Sequence, residues 1–207
     1  MFFSKTKSER YFNRGLKKNE LKNYQSAIND FSKVIKLNQK NDEAYYQRGL
    51  AKNELKDYRG AIEDFSKAIE LNPEHEDAYS MRGSLKYLNL KDYQGAVRDL
   101  SKAIELDLAD EEEKAESYYQ RGLAKDLLND YQGAKEDFSR AIELNAEYED
   151  DLFSEGQMKF WSEDYEGAIK NFSQLIELNL KKDESYFQKG LAKNKLKDYQ
   201  GAKEDFS

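Results

Sequence analysis

The sequence predicts an all-α protein, a solenoid of antiparallel helical hairpins that forms a right-handed superhelix. Three observations support this class: a regular glycine period, apolar residues at helical spacing, and a polar residue before each second helix. The eleven glycines fall on two positions of one repeating unit. Those of the first position stand at 15, 49, 83, 122, 156 and 190, so the repeat is 34 residues long except for one interval of 39.

Each repeat contains two helical segments joined by short turns. In the second repeat these are "DEAYYQRGLAKNEL" and "YRGAIEDFSKAIEL", and the latter places Ala61, Ile62, Phe65, Ala68 and Ile69 along one helical face. The residue before each second helix is predicted to be its N-cap: Asn23, Asp57, Asp92, Asp130, Asp164 and Asp198. We therefore expect a single domain over 1–207, with units 8–41, 42–75, 76–114, 115–148, 149–182 and a partial 183–207.

The long interval contains extra residues in two places. One lies between Gly83 and Ala96, and four lie between Ala96 and Gly122. The second place includes the acidic segment "DLADEEEKAE", residues 107–116, which lacks the alternating carboxylates and central glycine of a calcium loop. We expect a solvated extension of a helix there, or a contact surface of its own.

Composition excludes several classes of function. Charged residues make up 36% of the chain, cysteine is absent, and 34 basic against 41 acidic residues give a net charge of −7. No apolar run approaches the ~20 residues of a spanning helix, and a negative balance disfavours nucleic acid. The prediction is a cytoplasmic protein with no membrane insertion and no nucleic-acid partner.

Catalytic chemistry has little support in the sequence. The sole histidine, His75, follows Pro73 in a turn between repeats and is expected to be an exposed loop residue. The recurring serines have no neighbouring base, and one histidine without cysteine does not make an ordinary zinc site. We predict a protein that is not an enzyme, with no metal and no cofactor.

The unit resembles the tetratricopeptide repeat. That pattern has an aromatic residue, glycine, alanine, a second aromatic and a closing proline at fixed offsets. The second repeat matches it with Tyr45, Gly49, Ala61, Phe65 and Pro73, and the resemblance extends from about residue 8 to 207. It implies a module that holds a peptide or helix of another protein in a groove lined by first helices.

Two columns of charge depart from the family pattern. A base in the first helix faces an acid in the second: Arg14 with Asp30, Arg48 with Asp64, Arg82 with Asp99, Arg121 with Asp137 and Lys189 with Asp205. In the fifth repeat the base becomes Glu155 and the acid becomes Asn171, so the two columns change together. This favours charge pairs within or between hairpins over a row of charges for a ligand.

A lysine also recurs in every repeat. Its stem is expected to cover apolar surface while its ammonium reaches water or a carboxylate, and the alternative is a ladder that holds an acidic peptide. These lysines are Lys18, Lys52, Lys86, Lys125, Lys159 and Lys193.

The resemblance assigns a set of groove residues, for which packing between neighbouring hairpins is the alternative role. They combine aromatic and aliphatic anchors with amides that suit peptide groups. The third repeat has Ser80 and Ser84 where its neighbours are bulky, which predicts a notch flanked by Tyr46 and Tyr119. The predicted binding residues are Phe12, Tyr46, Gln47, Leu50, Ser80, Met81, Ser84, Tyr119, Gln120, Leu123, Phe153 and Phe187.

The subtype of the family that clamps the carboxylates of chaperone tails is not expected here. Phe12, Leu16, Asp77 and Met81 stand where its lysines and asparagines would be. An acidic column instead marks the starts of first helices, where negative charge is favoured by the helix dipole, with attraction for basic partners as the alternative. Its members are Glu9, Glu43, Asp77, Glu116, Asp150 and Glu184.

Two functions follow as hypotheses. The first is an adaptor for a peptide or helix of a partner protein, and the alternative is a scaffold that stacks end to end into homo-oligomers. The sixth repeat repeats "DYQGAKEDFS" from residues 130–139 and then ends, which predicts an uncapped surface around Phe206. That surface is expected either to continue into a longer array or to contact another molecule.

Overall fold

The computed structural model describes residues 6–207, so the first five residues of the predicted domain lie outside the described part. Across this part the chain is helical and contains no strand, and successive helices pair into six hairpins, which confirms the predicted all-α solenoid. The helices are α1 Lys7–Glu20, α2 Tyr24–Leu37, α3 Asp42–Glu54, α4 Tyr58–Leu71, α5 Glu76–Leu85, α6 Tyr93–Glu105, α7 Glu111–Leu127, α8 Tyr131–Leu144, α9 Glu147–Trp161, α10 Tyr165–Glu177, α11 Lys182–Lys195 and α12 Tyr199–Asp205.

Each hairpin closes around a glycine of its first helix. A Cβ atom added to Gly49 would lie 2.7 Å from Cε1 of Phe65, a fully buried ring of the second helix. The same relation joins Gly15 to Phe31 and, with leucine in place of the ring, Gly83 to Leu100. Glycine recurs at this position because the ring packs directly on the helix backbone.

Caps were predicted for all six second helices, and five of them begin at an aspartate whose side chain caps the helix. Oδ1 of Asp57 accepts a hydrogen bond from the backbone N–H of Gly60 at 3.1 Å. Asn23 makes no such bond, so the prediction of a side-chain cap was wrong there. The difference has a steric cause, because Ser26 replaces the glycine found in the other repeats, where any Cβ would collide with the capping carboxylate.

The two insertions of the long repeat have separate structural consequences. The extra residue after Gly83 forms a π-helical turn, Lys86–Leu90, which continues α5. Its closing N–H, from Asp92, reaches back six residues to the carbonyl of Lys86, whereas Asp57 reaches back five to Lys52. The acidic segment extends α7, whose N-cap Asp110 accepts from the N–H groups of Glu112 and Glu113 at 2.8 and 3.0 Å.

Within residues 6–207, none of the helices combines the length and apolar character needed to cross a membrane.

Candidate functional site

The recurring bases and acids form ion pairs that join the two helices of a hairpin. Nε and Nη2 of Arg48 donate to the two carboxylate oxygens of Asp64 at 2.8 and 2.6 Å. Asp64 is only 3% exposed, so this bidentate pair replaces the water that the carboxylate loses on folding. The corresponding distances are 2.5 Å for Arg14–Asp30, 2.7 Å for Arg82–Asp99, 2.6 Å for Arg121–Asp137 and 2.9 Å for Lys189–Asp205.

The recurring lysine contacts the same carboxylate through Oδ2, the oxygen that also accepts from the arginine Nε. Nζ of Lys52 lies 2.7 Å from Asp64 and also donates to the backbone carbonyl of Gly60 at 3.2 Å. In the first hairpin, hydrogen bonds from Arg14 offset the effect of burial and, with those from Lys18, lower the pKa of Asp30 to about 2. We call this base–acid–lysine arrangement the charge ladder. It occupies the lysine ammonium groups, which weakens the alternative in which they hold an acidic peptide.

The charge ladder also links neighbouring hairpins. Nη1 of Arg48 donates to Oγ of Ser32 in the preceding second helix at 3.1 Å. The guanidinium carbon of the same arginine lies 5.5 Å from the centre of the Tyr45 ring, a cation–π distance. Equivalent serine contacts join Arg82 to Ser66 and Arg121 to Ser101, both at 3.0 Å. One role for the recurring serines is therefore to align consecutive hairpins.

The fifth hairpin has a different set of partners. Glu155 lies 2.8 Å from Lys159, whose ammonium also donates to the amide oxygen of Asn171 at 2.8 Å. The lysine therefore bridges a carboxylate and a neutral amide instead of two opposite charges. Oε2 of Glu155 is buried without a hydrogen-bond partner among the described residues. The coordinated change of Glu155 and Asn171 keeps two carboxylates from facing each other.

The predicted groove aromatics all contact a ring of their own hairpin. Ring centroids of Phe12, Tyr46, Tyr119, Phe153 and Phe187 lie 5.5–5.8 Å from the aromatic ring of the following second helix. Only Phe187 among them is largely exposed, at 55%. Each of these rings therefore contributes to the hairpin interior, whatever its outer edge contacts.

A cavity of about 390 Å³ opens at the third hairpin, bordered by the second and fourth, and we call it the hairpin-3 cavity. Four of the predicted binding residues line it: Ser80, Met81, Ser84 and Gln120. Within the described residues its lining does not include the predicted flanks Tyr46 and Tyr119. The Tyr46 ring lies tilted against His75 and the Tyr119 ring stacks on Tyr148, both with ring centroids 4.7 Å apart. The remaining predicted residues lie elsewhere. Leu50 and Leu123 pack against the core, and Gln47 donates to Glu43 at 2.9 Å.

Sequence reasoning missed several residues of the cavity. Asn53, Tyr58, Glu113 and Glu116 also line it, and only the two glutamates had a signal, the acidic segment before the fourth repeat. Gln120 is 6% exposed, and its Nε2 donates to Glu116 at 2.7 Å. Its Oε1 is buried without a hydrogen-bond partner within residues 6–207. An unsatisfied buried acceptor costs about 1–3 kcal/mol, so it marks a position where a donor would be stabilising.

The prediction that His75 is an exposed loop residue was wrong. Its ring is 7% exposed because Tyr46 of the preceding hairpin covers it. Nε2 has no hydrogen bond among the described residues and lies 3.7 Å from the nearer carboxylate oxygen of Glu43. The histidine therefore lies close to the carboxylates of Glu43 and Asp77.

Five carboxylates near the starts of α3, α5 and α7 have no lysine or arginine partner within residues 6–207, and two of them, Glu113 and Glu116, line the cavity. We call Glu43, Glu76, Asp77, Glu113 and Glu116 the acidic strip. Burial, then repulsion from Glu76 and Glu43, raises the pKa of Asp77, and the charge of His75 opposes this only in part. Burial and repulsion from Asp77, Asp110 and Glu116 raise the pKa of Glu113. Burial and several carboxylates, Glu116 foremost, raise the pKa of the nearby Tyr148 to about 12.

Family models match most of the chain. Models described as tetratricopeptide repeat or TPR repeat match residues 15–53, 42–75, 76–110, 115–148 and 183–207. The chain belongs to the tetratricopeptide-repeat family, whose members generally act as protein-interaction modules. The matched ranges leave out 149–182, the repeat in which the charge ladder is altered.

Solved structures share the fold. MamA 41-end from Desulfovibrio magneticus RS-1 is 26% identical with a TM-score of 0.66, over 84% of this chain and 96% of that one. YrrB, titled a TPR protein with an unusual peptide-binding site, is 19% identical with a TM-score of 0.58, over 84% and 88%. The first TPR of Spaghetti (RPAP3), bound to the HSP90 peptide SRMEEVD, is 24% identical with a TM-score of 0.54, over 59% and 94%. No curated protein sequence matches the chain.

Proposed function

We propose that this protein is a non-enzymatic adaptor that binds a peptide or helical segment of another protein in the groove formed by its first helices. One observation carries the proposal: the hairpin-3 cavity stands where Ser80 and Ser84 replace the tyrosine and leucine of neighbouring repeats. A repeat that only needed to pack would gain stability from the larger side chains.

The lining of the cavity suits a peptide. Met81 and Leu85 offer apolar surface, and the unpaired Oε1 of Gln120 offers an acceptor. Most binding sites for small groups combine apolar walls with a few polar anchors, and about 390 Å³ lies in the usual range of such sites. Two proteins of the same fold support a peptide ligand for this chain: YrrB has a peptide-binding site, and the first TPR of RPAP3 is bound to an HSP90 peptide.

Filling the cavity tests this proposal. Random peptides displayed on phage are selected against the wild type, and the enriched clones are then measured against Ser84→Leu, which restores the leucine of the second and fourth repeats. We expect these peptides to lose most of their binding to the variant, while unfolding by urea shows the variant to be at least as stable as the wild type. Ser84→Val serves as a smaller filling group if leucine impairs folding.

A matched substitution outside the cavity is the control. Ser162→Leu adds the same side chain at an exposed turn after α9. Peptides that bind wild type, Ser84→Leu and Ser162→Leu equally well would contradict the proposed site, and a selection that enriches no peptide would contradict the proposed function.

Self-association is a second candidate, favoured by the last hairpin. Phe187 and Phe206 are 55% and 48% exposed, with ring centroids 5.8 Å apart in a cleft of about 580 Å³. An exposed aromatic pair of this kind can pack on a second copy of the chain. Mass measurement over a range of concentrations tests it: a dimer that Phe187→Ser abolishes would support it, and a monomer throughout would exclude it.

A further inference from the structure

We propose that the occupant of the hairpin-3 cavity is a positively charged segment of a partner protein, which inserts a lysine or arginine side chain between Glu113, Glu116 and Gln120. This inference rests on the proposed function and specifies its ligand. Four steps carry it: the pairing of charges, the position of the unpaired acids, the orphaned amide oxygen and the walls of the cavity.

The first step is the pairing of the carboxylates. Every aspartate of the charge ladder has a basic partner within 2.9 Å. The five carboxylates of the acidic strip have none: within residues 6–207, no lysine or arginine makes an ion pair with them, and His75 lies 3.7 Å from Glu43. The buried aspartates of the charge ladder are therefore neutralised by bases of the chain itself, whereas the carboxylates of the acidic strip are available to an external cation.

The second step is the grouping of these unpaired carboxylates. The acidic strip extends from the start of α3 through the start of α5 to the start of α7, so three consecutive first helices contribute. Its members repel one another: the charge of Asp77 acts on Glu113, and both carboxylates act on Tyr46. A cation placed between them would be stabilised by several carboxylates at once, whereas an anionic peptide would add to the repulsion.

The third step is the amide of Gln120, which is independent of charge. Its Nε2 donates to Glu116 at 2.7 Å, which orients Oε1 as an acceptor without a partner. Lysine and arginine side chains are pure donors, and they match a site composed of two carboxylates and an unpaired amide oxygen. A neutral apolar side chain would leave this acceptor unsatisfied.

The fourth step is the apolar part of the cavity. Tyr58, Met81 and Leu85 line it beside the polar groups. The methylene stem of a lysine or arginine can lie along such side chains while its charged end contacts the carboxylates. The cavity therefore accommodates both parts of a long basic side chain.

Labelled peptides of matched length test the inference by fluorescence anisotropy. One contains lysines spaced by alanine, and in the other two every lysine becomes glutamine or glutamate. We expect binding of the lysine peptide, weaker binding of the glutamine peptide and none of the glutamate peptide. Glu113→Gln with Glu116→Gln should weaken binding of the lysine peptide about two- to thirtyfold, the combined effect of losing two exposed ion pairs.

Two further variants separate the site from general charge attraction. Glu63→Gln with Glu166→Gln makes the same change in net charge on exposed second-helix residues and should leave the affinity unchanged. Ser84→Leu keeps the charge but fills the cavity and should weaken binding. Equal weakening by both glutamine pairs, preferred binding of the glutamate peptide, or no binding of any of the three peptides would overturn the inference.

The experiments distinguish a failure of this inference from a failure of the proposed function. If displayed peptides bind in a manner that depends on Ser84 but show no excess of lysine or arginine, the adaptor stands and the cationic ligand is wrong. If no displayed peptide binds, the adaptor itself fails.

Discussion

Glu43, Asp77 and Glu116 of the acidic strip recur with the same period as the charge ladder, but the two sets of carboxylates have opposite surroundings. Asp64 is nearly inaccessible and contacts both Arg48 and Lys52, whereas Asp77 and Glu113 have neighbouring carboxylates and no lysine or arginine. Paired acids stabilise the hairpin once folded, and unpaired acids destabilise one another. A paired charge of the repeat is therefore structural, whereas we propose a binding role for the unpaired ones, and their period does not distinguish the two.

The largest expected effect comes from breaking one pair of the charge ladder. Arg48→Ala leaves Asp64 buried with Lys52 as its only cation, and we expect a loss of about 2–4 kcal/mol in the free energy of unfolding. Urea denaturation followed by circular dichroism measures it. The double variant with Asp64→Ala should lose much less than the sum of the single losses, and additive losses would show that the two side chains act independently.

The fifth hairpin allows the charge ladder to be rebuilt. Asn171→Asp alone places a carboxylate near Glu155, and we expect a loss of about 1–2 kcal/mol from repulsion at a buried position. Adding Glu155→Arg recreates the arrangement of the other hairpins around Lys159 and should recover that loss. The comparison is made by thermal unfolding. A double variant no more stable than Asn171→Asp would contradict the explanation of the paired change.

The acidic strip should respond to neutralisation in the opposite direction from the charge ladder. Asp77→Asn removes repulsion and is expected to raise stability at neutral pH by about 0.5 kcal/mol, whereas the same substitution at Asp64 lowers it. The raised pKa of Asp77 gives the sign with pH: its protonated form favours the folded state, and this contribution is lost as pH rises through that pKa. Urea titrations of wild type and Asp77→Asn should therefore converge at low pH. A loss of stability in Asp77→Asn at neutral pH would show that its charge is structurally paired.

The repeat pattern predicted most of the fold because it reflects packing within each repeat. The glycine of the first helix and the aromatic residue of the second recur together because they contact each other. The joint change of Glu155 and Asn171 indicated that the two charge columns lie close together. The prediction of a side-chain cap at Asn23 was wrong for a reason that is visible in the sequence, because Ser26 occupies the position of a glycine in the other repeats. These features depend on residues within one repeat or its immediate neighbour.

The candidate site was less predictable because it depends on orientation across hairpins. Ser80 and Ser84 indicated an opening, but the side chains of Tyr46 and Tyr119 turn to His75 and Tyr148 instead of bordering it. The burial of His75 follows from a ring in the preceding hairpin, and the unpaired oxygen of Gln120 follows from the bond that its nitrogen makes to Glu116. No spacing rule encodes which atom of an amide is left without a partner.

The central claim is that the acids left unpaired beside the hairpin-3 cavity bind a basic segment through that cavity. Heteronuclear NMR of the isotope-labelled chain, titrated with the lysine peptide, tests it most directly. We predict saturable shifts of the Gln120 side-chain amide and of the backbone signals of Ser80, Ser84 and Glu113, with little change in α2, α8 or α10. Shifts confined to those second helices, or an unchanged Gln120 amide at saturation, would contradict it.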